Sequence, residues 1–360
     1  PLMRIVLVQT GEHACQCIWS HHHLLLDGWS MYSLLKEVFA CYEAFCRNQE
    51  RVFEQAIPFR NYISWIHEQD ISKAETFWRK ALKGFTVPTS LGFAHLDGPK
   101  MGYDDKRIRL SEKTTAAMQS FVRRHKLTMN TLVQGAWALL LSHYSGADDV
   151  VYGATVSGRP SDLPGVESLV GLLINTLPVR IQVSDEAFLL AWLKKLQNRQ
   201  VGMRPYEYSP LAEVRKWSQV PANQPLFESI VVFENFPADF SFKQEKTDLE
   251  IHGVRSVLRE NYPLVLVVVP GSELSLQLKY DCTRFDAANI TLMLKHLERL
   301  LRDIFKQPDI RLKVLKKMLA ESDRQHRTKK QRERKQVNLQ KLKKVKREVA
   351  RLPSETEEQQ

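Results

Sequence analysis

The stretch Trp19-Ser20-His21-His22-His23-Leu24-Leu25-Leu26-Asp27-Gly28-Trp29-Ser30 constrains this chain more than any other. It sets imidazoles, one carboxylate and a glycine turn in a single short loop, between an extended apolar run and a run with helical spacing. A neutral imidazole, with an ordinary pKa of about 6.5, accepts a proton or a hydrogen bond from a nucleophile near neutral pH. His23 is the candidate for that role. Asp27 can fix the loop through backbone or guanidinium hydrogen bonds, Gly28 supplies backbone freedom at the turn, and Trp29 packs rather than reacts. In an extended segment His21 and His23 share a face and His22 points the other way. A bare histidine pair would read as half-buried rings or a fortuitous metal site, and only the longer pattern speaks against that.

The flanking segments place the loop at the end of a hairpin. Arg4 to Gln9 and Ala14 to Trp19 read as two strands joined through Thr10-Gly11-Glu12. From Ser30, read as a helix N-cap, Leu34, Leu35, Val38, Phe39, Tyr42 and Phe45 recur at helical spacing and predict a helix carrying core residues. An aromatic segment with Tyr62 and Trp65 follows, then a helical run containing Phe77-Trp78 and ending near Leu82. Gly84 to about Gly102 has no periodicity, is rich in Pro, Gly, Thr and Ser, and reads as a linker.

A strand from Lys106 to Leu110 and a helix beginning near Ser111 open the second half. Thr128 caps a strongly apolar helix, Leu132 to Tyr144, stopped by Ser145-Gly146. A buried-type strand from Asp149 to Val156 runs into the polar loop Ser157-Gly158-Arg159-Pro160. A helix over Glu186 to Gln200, a strand over Ile230 to Glu234, a hairpin over Leu264 to Tyr280 and a helix over Phe285 to Phe305 complete the pattern.

The pattern His-His-x-x-x-Asp-Gly at His22 to Gly28, followed by Trp29-Ser30, resembles the active-site signature of the condensation domains of nonribosomal peptide synthetases. Further stretches resemble the same family: Tyr62 and Trp65 in a short helix, "SGRP" at Ser157, "PGVESLVGLLINTLPVR" ending at Arg180, and the segments around Arg204 to Pro210 and Pro225 to Glu234. The Arg204 segment departs from the commoner His-Gln-Asp-Tyr-Pro wording.

The resemblance covers roughly residues 1 to 318. It implies an α/β (α+β) fold of two chloramphenicol-acetyltransferase-like lobes, each a mixed sheet with helices, facing one another across a channel. The expected division is 1–98 for the remainder of an incomplete N-terminal lobe, 99–318 for the C-terminal lobe, and 319–360 for a basic helical tail or interdomain linker. It also implies amide formation, in which the amine of an acceptor aminoacyl thioester attacks a donor peptidyl or aminoacyl thioester. Both substrates would ride on phosphopantetheine arms of upstream and downstream peptidyl carrier proteins, beside neighbouring synthetase domains such as adenylation, with no cofactor or metal bound by this chain.

In that frame His23 is the catalytic candidate. His22, Asp27, Gly28, Trp29 and Ser30 are active-site or structural, and Ser157, Arg159, Asn175 and Thr176 belong to the channel or its floor loop. The family's arginine partner for the active-site aspartate would lie upstream of Pro1, so Asp27 is expected to lack its partner and the chain to be impaired in isolation. The wording "LVQGAWALLLSHYSG", "TVSGRP" and "PLFESIVVFEN" resembles the subtype that takes a D-configured donor and an L acceptor. A catalytically inactive remnant that only docks carrier proteins or neighbouring domains is the alternative.

Charge and composition exclude other classes. The formal net charge is +11 over 360 residues. Much of that excess lies between Ala320 and Arg351, which holds thirteen Lys and Arg against four Asp and Glu. The tail also carries a narrow apolar stripe of Leu339, Leu342, Val345, Val349 and Leu352 on an otherwise basic helix. No basic patch interleaved with aromatics stands out elsewhere, so nucleic acid is not the evident partner. No apolar run reaches the roughly 18 residues a membrane span needs, and a cytoplasmic protein without a membrane role is expected. Cys15, Cys17, Cys41, Cys46 and Cys282 lack metal spacing and read as reduced core residues.

Overall fold

The computed structural model describes residues 1–53, 56–91, 101–234, 249, 251–253, 255, 261–326 and 328. Its main element is a six-stranded mixed sheet in the order β3-β8-β7-β6-β4-β5. The strands are β3 (Tyr103–Arg109), β4 (Asp149–Val156), β5 (Asn175–Gln182), β6 (Ser229–Phe233), β7 (Leu264–Val269) and β8 (Ser275–Asp281). β4, β6 and β7 run parallel, while β5 joins β4, and β8 joins both β7 and β3, in antiparallel fashion. β7 is apolar throughout, as a strand covered on both faces must be, and five of its six residues are buried. Pro178 sits in β5, an edge strand, where its missing N–H breaks no ladder bond.

Helices α4 (Glu112–His125), α5 (Met129–Ser145), α6 (Leu189–Met203), α7 (Leu211–Trp217) and α8 (Ala287–Lys306) join this sheet in one core. α5 is buried continuously from Thr131 to Ser142, which explains its unbroken apolar run. Its ends are those expected: Thr128 accepts from the Thr131 N–H, and Gly146 closes the helix in the left-handed region at φ 71°. α6 begins at Leu189 rather than Glu186, because the backbone of residues 185–187 instead bonds to Leu312 and Lys313.

The N-terminal elements are the hairpin of β1 (Met3–Gly11) and β2 (Ala14–His21), then α1 (Gly28–Cys46), α2 (Phe59–His67) and α3 (Ile71–Ala81). The expected hairpin is present, with Leu7 opposite Cys17. Burial here differs from expectation. The apolar stripe of α1 is not core: Val38, Tyr42 and Phe45 are exposed, and only Ser30 and Ala40 of this helix are buried. Its N-cap is Asp27, not Ser30, since the Asp27 carboxylate accepts from the Ser30 N–H. β1 is likewise exposed along its whole length. Cys15, Cys17 and Cys46 are exposed and Cys41 and Cys282 half-buried, so the cysteines are not the buried core residues expected, although Cys282 packs against the main core.

The expected linker is structured in its first part. Phe85 and Leu91 are buried in the large core, and Thr89 accepts a hydrogen bond from the Val151 N–H at 2.8 Å. α3 joins the same core through Ala74 and Trp78, whose indole N–H donates to Ser209 Oγ. Residues 92–100, including the expected 98/99 boundary, lie outside the described residues, as does the tail stripe at Leu339, Leu342, Val345, Val349 and Leu352. A helical segment, 312–326, runs across the expected 318/319 boundary into the start of the expected tail and buries Leu312, Leu315 and Leu319. No helix among the described residues is long and apolar enough to cross a membrane.

Close packing at β4 yields a test. A Cβ on Gly153 would lie 2.4 Å from the Phe227 ring and 2.8 Å from Ile230 Cγ2, both buried side chains. Gly153→Ala should therefore destabilise the fold by about 1–3 kcal/mol. Urea denaturation is expected to show a lower midpoint at an unchanged m-value.

Candidate active site

β2 ends at His21, and the chain turns at once: the Leu25 N–H donates to the His22 carbonyl at 3.0 Å. The loop is therefore compact rather than extended. His21 and His23 remain close enough for the charge of one to disfavour that of the other, and burial together with His23 lowers the His21 pKa. His22 Nδ1 accepts from the Leu24 N–H at 3.1 Å, which fixes its ring as part of the turn and leaves its proton on Nε2.

His23 has the opposite tautomer. Its Nδ1 lies 2.8 Å from the Leu26 carbonyl oxygen. A carbonyl only accepts, so Nδ1 carries the proton, and in the neutral ring the free lone pair sits on Nε2. The ring is exposed. The loop thus fixes one imidazole by its Nδ1–H and leaves Nε2 as its basic nitrogen.

Asp27, whose side chain is 0% exposed, anchors the loop. Arg159 donates through Nη1 to Oδ2 at 2.9 Å and through Nη2 to Oδ1 at 3.3 Å. The Ser30 N–H donates to Oδ1 at 2.8 Å and the Leu173 N–H to Oδ2 at 3.2 Å. Ser30 Oγ lies 2.7 Å from Asp27 Oδ1 and 2.8 Å from the Gly171 carbonyl, so its single proton alternates between two acceptors, while it accepts from the Gly171 N–H at 3.0 Å. Burial pushes Asp27 toward its neutral form, but the hydrogen bonds from Arg159 and Ser30 and the guanidinium charge outweigh it and hold the carboxyl below its ordinary value of 3.8.

Asp27 therefore does not lack a partner. The arginine expected upstream is replaced in this role by Arg159, from the loop after β4. Arg159 also reaches the Leu169 carbonyl at 3.3 Å, and its guanidinium stands 5.4 Å from the centre of the Trp29 ring. Trp29 in turn donates through its indole N–H to the Glu167 carbonyl. Ser157 offers its Oγ and its carbonyl to Arg159, at the long distance of 3.4 Å in each case.

The other floor-loop candidates are split. Asn175 donates through Nδ2 to the carbonyls of Glu207 at 2.9 Å and Ser209 at 2.7 Å, stapling β5 to the 204–209 turn. Thr176 is half-buried and donates its N–H to Asn175 Oδ1, which makes it structural. Gly158 is required by its backbone: at φ +62° a Cβ would fall 1.7 Å from the Leu173 carbonyl oxygen. α2 covers the loop with a small apolar core of Tyr62, Val166, Leu169 and Leu173, flanked by Trp65, whose ring stacks on Tyr62.

Glu207 was not singled out from sequence. It is half-buried, its pKa is raised by burial against the opposing effects of Arg204 and of the Gly158 N–H, and it lies within electrostatic reach of Tyr62. No spacing rule links residue 207 to the histidine loop. The Arg159 pairing was legible only as an arginine in a polar, glycine-containing loop.

Residues 1–326 match the family described as Condensation domain. The chain belongs to that family. A protein of the linear gramicidin synthase of Brevibacillus parabrevis is 45% identical over 330 residues, covering 90% of this chain and 4% of that protein. Chondramide synthase cmdD of Chondromyces crocatus is 37% identical over 316 residues, covering 88% of this chain and 8% of that protein. The chain thus spans a small fraction of these curated relatives. The X-domain from teicoplanin biosynthesis superposes with a TM-score of 0.70 at 22% identity, over 86% of this chain and 74% of that one. The first condensation domain of the calcium-dependent antibiotic synthetase gives 0.67 at 15% identity, over 87% and 71%. The condensation-domain fold, a chloramphenicol-acetyltransferase-like mixed α/β architecture, is that of this chain.

Two outcomes follow for this condensation domain from the Asp27–Arg159 pair. Arg159→Met leaves a fully buried carboxylate without its cation and should cost about 3–5 kcal/mol. Adding Asp27→Asn to it should restore part of that loss, which a double-mutant cycle by chemical denaturation measures. The pair also links stability to pH. The folded pKa of Asp27 is depressed, so its contribution is complete above the ordinary carboxylate pKa and is lost as pH falls through the lower folded value. The stability gap between the parent and Arg159→Met should accordingly narrow below about pH 4, and a gap constant down to pH 2 would assign the effect elsewhere.

Proposed function

We propose that this domain joins a donor peptidyl or aminoacyl thioester to the amine of an acceptor aminoacyl thioester, each presented on the phosphopantetheine arm of a carrier protein. His23 is the residue that receives or orients the amine. The observation that carries this reading is the His23 tautomer, with Nδ1–H spent on the Leu26 carbonyl and Nε2 left as the acceptor of the neutral ring.

The energetics favour positioning over strong base catalysis. A thioester is already activated, and an α-amine has a pKa of about 7.7–8.0, so a weak base suffices. Holding the two reactants in line can supply about 7–11 kcal/mol at best. Proton handling by one side chain adds typically 10²–10⁴-fold. As the amine attacks the thioester carbonyl it becomes cationic. Nε2 of His23 accepts its N–H and takes or relays the proton, and collapse of the tetrahedral adduct expels the donor carrier's thiol.

Asp27, Ser30 and Arg159 are positioning residues in this scheme, since their mutual bonds fix the loop that carries His23, and Gly28 opens the helix between them. Ser157 and Asn175 support the same floor. Upstream and downstream carrier proteins and a neighbouring adenylation domain are the proposed partners, in a cytoplasmic multidomain synthetase, with the 98/99 lobe division as the proposed organisation. The D-donor and L-acceptor preference rests on wording such as "TVSGRP" and "PLFESIVVFEN", and supplying both donor epimers tests it.

Single-turnover peptide formation between a donor-loaded and an acceptor-loaded carrier protein is the deciding measurement. His23→Ala should slow it by about 10²–10⁴-fold with carrier affinity unchanged. Full-rate condensation by His23→Ala would remove His23 from the chemistry.

A further inference from the structure

A second cluster of titratable side chains lies on elements that carry none of the histidine loop. The last turn of α5 provides His143, the middle of α8 provides His296, and the helical segment 312–326 provides Asp323. One ligand-type atom from each falls within 4.8 Å of the other two. His143 Nε2 is 2.6 Å from Asp323 Oδ2, and His296 Nε2 is 3.7 Å from Asp323 Oδ1.

The three side chains already meet through polar contacts, and the His143 Nε2–H donates to Asp323 Oδ2. His296 is 1% exposed, and its outer nitrogen, Nδ1, lies 2.9 Å from the Tyr144 hydroxyl, while Nε2 faces inward at 3.2 Å from Ser322 Oγ. Burial lowers the His296 pKa, against the opposing charge of Asp323 and with the repulsion of His143, Arg299 and His326 adding to it. Arg299 is itself drawn toward Asp303 at 3.5 Å. Two imidazole nitrogens and one carboxylate oxygen are a donor set of the kind zinc takes, with a fourth position left for water or for the Ser322 hydroxyl. A hydroxyl held on the outer nitrogen of a ligating histidine is the kind of supporting contact that orients such a ligand.

We propose that His143, His296 and Asp323 form a binding site for a divalent zinc-type ion that fastens the helical segment 312–326 to α5 and α8. Bonds of about 2.0–2.2 Å in a tetrahedron set donor atoms roughly 3.4 Å apart. The His143–Asp323 pair opens and the His296–Asp323 pair closes to reach that spacing, shifts that side-chain rotation supplies. The ion replaces a charge-assisted hydrogen bond, so the three elements stay docked in its absence and tighten in its presence.

The test is zinc titration of the full chain, freed of any polyhistidine tag, by equilibrium dialysis and thermal melting, with visible absorption of the cobalt-substituted protein as the spectroscopic readout. The expected result is one tightly held ion, a rise in melting temperature, and the intense bands of four-coordinate cobalt. Asp323→Asn and His143→Ala should weaken binding by at least about 100-fold. Tyr144→Phe, which leaves all three ligands in place, should weaken it by about 10–100-fold, so the idea stays testable even where a ligand variant folds poorly. Binding should survive in a His21→Ala/His22→Ala chain. No zinc uptake by the folded parent protein, or uptake that vanishes in that loop variant and persists in Asp323→Asn, would overturn the site.

Discussion

The buried ion pair between Asp27 and Arg159 holds the histidine loop to the rest of the molecule. Taking a carboxylate fully out of water costs several kcal/mol unless its lone pairs are met, and here every direction is met: by the guanidinium, by two backbone N–H groups and by the Ser30 hydroxyl. Because those donors come from α1, the loop after β4 and the segment before β5, the pair ties three stretches of chain to one point. The orientation of His23 depends on it, since the Leu26 carbonyl that fixes its ring adjoins Asp27.

Around that point the molecule is uneven. The six-stranded sheet and the helices packed on it form one continuous apolar core, which extends into α3 and the segment to Leu91. The hairpin and α1 contribute little to it, and their apolar side chains face outward. The histidine loop is therefore held to the core side by polar bonds and by the small cluster of Tyr62, Val166, Leu169 and Leu173, rather than by burial of the hairpin that delivers it. The other titratable cluster, at His143, His296 and Asp323, adds polar contacts to the helical segment 312–326, which Leu312, Leu315 and Leu319 already bury in the core.

Local order was legible in the sequence wherever periodicity and end signals agreed. The hairpin, the capped and continuously buried α5, the strand into Ser157-Gly158-Arg159 and the β7–β8 hairpin all follow from apolar spacing and from residues such as Thr128 and Gly146. His23 was legible for the same reason, as an imidazole at fixed spacing from Asp-Gly. Burial was not, because periodicity records which residues share a face and not whether anything covers it. Val38, Tyr42 and Phe45 keep their helical spacing and remain exposed.

The sequence by itself determined the family, the elements and the chemical type of the central loop, because these rest on local spacing and residue identity. Only the tertiary structure decided the partner of Asp27, the place of Glu207 and the meeting of His143, His296 and Asp323. Each depends on two or more segments far apart in the chain arriving at one point, such as Asp27 and Arg159, 132 positions apart. Their separation in sequence says nothing of their separation in space until the packing of the sheet and its helices has set both.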